Sequence, residues 1–124
     1  MAARYYSNIL PDTLENSDKK RHLYTYRYNF TEEIIEENET QYSWSEVYVY
    51  APLTSSKIIQ AVLTNEYDVN YEQKLINEYN SALLGLYSSN EEIELVKTRY
   101  EEYLSYRKEL KENIETDLQN LKIS

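Results

Sequence analysis

The chain has 124 residues, enough for one domain that buries roughly two-thirds of the surface its unfolded form exposes. Its 22 Asp and Glu against 13 Lys and Arg give a net charge of −9, which argues against a surface that wraps nucleic acid, because phosphate binding relies on clustered cations. The absence of cysteine removes disulfides, thiolate nucleophiles and the common zinc knuckles, while 41% hydrophobic residues against 28% charged is too apolar for a disordered chain.

Fifteen tyrosines against one phenylalanine mean that apolar contacts are made largely by rings carrying a hydroxyl. Such rings suit half-buried sheet faces and protein interfaces better than a dry core. The start MAARYYSNIL lacks the apolar core of a signal peptide, and nowhere do eighteen apolar residues run together. A soluble, unexported chain with no membrane partner is expected.

Residues 1–21 read as an arm and loop: Tyr5, Tyr6, Ile9 and Leu10, then Pro11, then the cations Lys19, Lys20 and Arg21, expected to lie in a solvated turn. Residues 22–50 read as a β ribbon of two or three antiparallel strands. Tyr24, Tyr26, Tyr28 and Phe30 alternate with Thr25, Arg27 and Asn29, which predicts one aromatic face. Ile34 and Ile35 then mark a short second strand or a turn. In QYSWSEVYVY, Tyr42, Trp44, Tyr48 and Tyr50 share one face, with Val47 and Val49 on the other. Two strands alone are marginal in water, so the ribbon needs a covering layer.

Residues 54–86 carry two helices. Thr54, Ser55 and Ser56 offer a cap before the stripe Ile58, Ile59, Val62 and Leu63. Asp68 caps the second, whose apolar positions Tyr71, Leu75, Ile76, Tyr79, Leu83 and Leu86 lead to Gly85 as a terminator. Asn90, followed by Glu91 and Glu92, opens a long helix over 90–121. Ile93, Val96, Tyr100, Tyr103, Leu110, Ile114 and Leu121 mark a heptad seam, broken by Arg107 and Asp117, with Leu104 and Leu118 beside it. At about 1.5 Å per residue this helix spans roughly 45 Å and outruns the second by about 18 Å. Its overhang is left to pack on the strands, on the first helix or on another chain, and the seam reads either as an internal helical hairpin or as an oligomer surface.

No catalytic constellation emerges. His22 stands alone, and the pairs Glu32/Glu33, Glu36/Glu37 and Glu101/Glu102 occupy adjacent positions whose side chains diverge. With one glycine, a phosphate-cradling loop is not expected, nor is any metal or cofactor. The ribbon is read as a core face packed by helices or as a protein interface. Sugar stacking is a third option, and single-stranded nucleic acid is disfavoured by six glutamates without a cation between Thr31 and Tyr50.

From Glu46 to Leu118 the sequence resembles small uncharacterised proteins encoded by tailed bacteriophages and prophages of gut bacteria. The likeness is carried by the strand ending in Tyr50, the entry Pro52-Leu53-Thr54, the helix Ile58 to Leu63, the helix Tyr71 to Asn80 and a final tyrosine-rich charged helix. The resemblance implies a structural or assembly component of a virion, a connector, head-tail or tail accessory protein, made in the bacterial host cytoplasm. Its implied partners are other phage structural proteins or further copies of itself.

The sequence thus predicts an α+β domain whose function is non-catalytic protein binding. The candidate interface is Tyr26, Tyr28, Trp44, Tyr48 and Tyr50 on the ribbon, with Tyr100, Tyr103, Arg107, Leu110 and Ile114 on the long helix. The alternatives are a soluble acidic phage effector that inhibits a basic host protein, and a carbohydrate-binding accessory.

Overall fold

A computed structural model describes residues 2–87 and 89–123. The fold is α+β: strands β1 (Tyr5–Ser7), β2 (Leu14–Asp18), β3 (Leu23–Glu36) and β4 (Glu39–Tyr50), then helices α1 (Ser55–Glu66), α2 (Val69–Leu83) and α3 (Asn90–Asn120). The strands form one antiparallel sheet in the order β1-β4-β3-β2. The sheet is therefore wider than expected, because the stretch read as an arm and loop contributes both edge strands. Ile34 and Ile35 form no separate strand: they belong to β3, which runs on to Glu36 before a tight turn in which Asn38 takes φ 66°.

Strand register decides which ring goes where. Tyr26 pairs with Val47 and Tyr24 with Val49, so the β3 tyrosines share a face with the β4 valines. That face is the core: Tyr26, Tyr28, Val47 and Val49 pack under Ile58, Ile59, Val62 and Leu63 of α1 and Leu110, Ile114 and Leu118 of α3. The β4 row Trp44, Tyr48 and Tyr50 points the other way. The two aromatic rows thus lie on opposite faces. Full burial of each aliphatic such as Ile58 or Val62 contributes about 1.5–3 kcal/mol.

Asn29, at φ 53°, marks a β-bulge: three steps from Tyr28 to Thr31 oppose two from Ser45 to Ser43. The extra residue reverses the facing of everything beyond it. Phe30 consequently leaves the tyrosine face on which its spacing placed it and lies 6.2 Å from Trp44. Arg4 clamps this bulge, donating to the Asn29 carbonyl at 2.8 Å and to the Ser43 and Ser45 hydroxyls at 3.0 and 3.1 Å.

The helix signals hold with local adjustments. Thr54 Oγ1 accepts from Lys57 N, and Asp68 Oδ1 from Asn70 N. Gly85, at φ 73°, ends α2 through bonds from Gly85 N to Ala82 O and from Leu86 N to Ser81 O, which leaves Leu86 outside the helix. Lys122, at φ 61°, repeats that pattern after α3 and turns Ile123 back onto the core. Asn90 is the first helical residue of α3, and Ser89 holds the cap position.

α3 changes partner along its length. Its first half packs on α2, burying Val96 and Tyr103, and its second half lies over the sheet through Leu110, Ile114 and Leu118. The buried positions of α3 run in seven-residue steps from Val96 through Tyr103 to Leu110 and in four-residue steps from there to Ile114 and Leu118. For that reason Leu118 is buried, whereas Leu121, placed by the heptad, stays 38% exposed.

Candidate functional site

Most of the ten candidate residues are consumed by the fold. Tyr26, Tyr28, Leu110 and Ile114 are core, and Tyr103 is buried between α2 and α3. Trp44 is covered by Tyr5 at 6.5 Å and Phe30 at 6.2 Å between ring centres. Tyr100 is half-buried and stacks on Tyr79 at 4.7 Å. Arg107 is half-buried and lines a small cavity with Glu72 and Tyr103. Only Tyr48 and Tyr50, each 55% exposed, remain open. The ten therefore do not form one surface, because the strand register and the packing of α3 separate them.

Two of the buried hydroxyls are matched by acids. Tyr26 Oη donates to Asp117 Oδ2 at 2.9 Å, and Tyr28 Oη to Glu66 Oε1 at 2.8 Å. Burial, reinforced by these carboxylates, raises both phenols far above the ordinary value. Tyr103 Oη has no hydrogen-bond partner among the described residues, and burial followed by the nearby Glu72 raises its pKa to about 12.

The open surface is built on an edge. β1 pairs with β4 only from Tyr42 to Trp44, so β4 from Ser45 to Tyr50 has no outer strand partner among the described residues. Ala51 N donates inward to His22 O at 2.9 Å. Alternation along an antiparallel strand then turns the amides and carbonyls of Glu46, Tyr48 and Tyr50 outward. Two side chains of α1 cover the ends of this row: Lys57 Nζ donates to Tyr50 O at 2.6 Å, and Asn65 Nδ2 to Glu46 O at 3.4 Å. Beside the row lies a groove of about 1030 Å³, floored by Val47 and Val49 and walled by Gln60, Ala61 and Thr64 of α1.

On the face away from the helices, Glu46 organises the rings. It accepts from Trp44 Nε1 at 2.9 Å and Tyr48 Oη at 2.7 Å, and lies 3.7 Å from Arg27 Nε. The bond to Glu46, ahead of partial burial, raises the Tyr48 phenol. Arg27 in turn binds Asp12 O at 2.8 Å and Glu15 Oε2 at 2.7 Å, which fastens β2 to the sheet. The site can hold an extended backbone, with main-chain groups at the edge, a short apolar floor and neutral polar walls. Among the described residues no cluster of His, Asp or Glu gathers to hold a metal, and no helix is long and apolar enough to cross a membrane.

No family model, curated protein or solved structure matches the chain. Of the residues that line this groove, the sequence-based candidates include Tyr48 and Tyr50 and lack Lys57, Gln60, Ala61, Thr64 and Asn65. Their signal was the largely polar face of α1, with Lys57 its one charge, opposite the apolar stripe, which reads as solvated surface until the edge beside it is known.

Proposed function

We propose that the protein is a non-catalytic protein-binding component of a bacteriophage particle, structural or assembly in role, that engages its partner by strand addition. The observation that carries the binding reading is the unpaired edge from Glu46 to Tyr50 beside the α1 groove, with Tyr48 and Tyr50 exposed on it. Outward main-chain groups supply affinity to an added strand, and the flanking rings select its side chains. The assignment to a particle draws its support from the resemblance carried by residues 46–118 to phage and prophage proteins.

The test compares the wild type with Tyr48→Pro, which removes one outward amide. Recovery of the wild-type chain in purified particles, and loss of that incorporation in the proline variant, is the expected result. Absence of the chain from particles, with binding to a basic host protein that weakens steeply with salt, would replace this reading by the acidic effector.

A further inference from the structure

We infer that the partner at this edge is a second copy of the chain, with the two β4 strands joined antiparallel about a two-fold axis at Tyr48. The inference rests on the reading of the edge as a binding surface, and three observations select the occupant.

The first is fit of length. The open row runs from Glu46 to Tyr50, and Tyr48 is its middle residue. A copy laid antiparallel about Tyr48 sets Tyr50 of one chain against Glu46 of the other. Beyond Tyr50 the cis Ala51-Pro52 segment leaves the sheet, and beyond Glu46 the edge is taken by Arg4 and β1. The incoming strand thus ends where β1 begins.

The second is the pairing that this register creates. Tyr48 meets Tyr48, and Val47 meets Val49 on the groove side. Tyr50 meets Glu46, a phenol against a carboxylate. Because the outward groups of Tyr48 all point across the axis, about six main-chain hydrogen bonds are available once Lys57 and Asn65 share or release their carbonyls. The sheet then runs β2-β3-β4 of one copy into β4-β3-β2 of the other.

The third is charge. A chain of net charge −9 repels its copy over most of its surface, yet the groove lining holds one acid, Glu46, and one cation, Lys57. They sit at opposite ends of the open row, Lys57 at Tyr50 and Glu46 four residues earlier. The Glu46 carboxylate is already held by Arg27 on the other face of the sheet, so the walls that face each other across the two-fold are the uncharged Gln60, Ala61 and Thr64, and no like charges are set together there.

The chain has no cysteine, so a single introduced thiol reports one distance. Tyr48→Cys places two thiols directly across the axis at a spacing a disulfide accepts. The expected result is a dimer mass by light scattering, its loss in Tyr48→Pro with helical circular dichroism retained, and cross-linking of Tyr48→Cys at least about tenfold faster than that of Ile34→Cys on the exposed hairpin end. If Tyr48→Pro fails to fold, the cross-linking comparison decides alone. A monomer at all concentrations with equal cross-linking at both positions overturns the second copy and makes Lys57 and Asn65 guards against edge pairing. A dimer that survives Tyr48→Pro, with no disulfide formed in Tyr48→Cys, overturns this geometry. The reading as a particle component fails separately, if the chain is absent from particles or if its incorporation is indifferent to Tyr48→Pro.

Discussion

Tyr26 and Asp117 lie 91 residues apart and are joined by a 2.9 Å hydrogen bond from the phenol to the carboxylate. The acid that interrupts the apolar seam of α3 is therefore the acceptor for a ring whose side chain is wholly buried in the sheet. One bond ties the first long strand to the last turn of the last helix.

Replacement of Asp117 by Ala strands that hydroxyl and is expected to lower stability by about 1–3 kcal/mol. Tyr26→Phe in the same background removes the stranded donor and should recover part of the loss. Denaturant titrations of the two single variants and the double variant measure the coupling; strictly additive effects would mean that the bond contributes nothing.

Packing of α3 on the sheet separates Ile114 from Leu121. Ile114→Ala should cost about 2–5 kcal/mol, because the residue is 1% exposed beneath the sheet core. Leu121→Ala, at 38% exposure, should stay within roughly 0.5 kcal/mol. Equal losses in thermal unfolding would return Leu121 to the buried seam.

Arg4 supplies the side-chain anchor of β1 at the bulge. In Arg4→Ala, amide exchange over residues 5–7 and at the facing residues of β4 should quicken, while exchange in α3 stays unchanged. Unaltered exchange at β1 would show that Tyr5 on Trp44 holds the arm without help.

Alkali should weaken the fold before it reaches the buried rings. Tyr103 is raised from 10.0 to about 12 by burial and Glu72, and Tyr26 and Tyr28 are raised in the same direction by burial and their acids. Below pH 10 these phenols are protonated in both states, so their contribution to stability is complete. From pH 10 to about 12 the unfolded chain releases its protons first, and stability falls by about 1.4 kcal/mol per pH unit for each such ring. Urea midpoints taken between pH 9 and 11.5 should decline along that course; a flat profile would mean that the rings reach water.

Period and capping made β3, β4, α1 and α2 legible. Alternation from Tyr24 to Tyr28 marks β3, alternation from Tyr42 to Tyr50 marks β4, and Thr54 and Asp68 begin α1 and α2 as their chemistry requires. The edge strands were hidden because β1 has three residues and β2 carries only Leu14 as an apolar anchor, too little for a period of two to show. Phe30 was misplaced because a bulge is a property of the paired strands, and Asn29 alone carries little warning of it. The open edge was beyond reach for a related reason: it exists because β1 stops short, and an unpaired length of strand has no composition of its own.

Helix α3 belongs to both parts of the molecule. Its 31 residues span roughly 45 Å, from the turn at Gly85, where Leu83, Leu84 and Leu86 stand exposed, to the sheet that carries the β4 edge. A single uninterrupted helix therefore links the exposed turn to the sheet, and the two ends cannot approach one another unless that helix breaks.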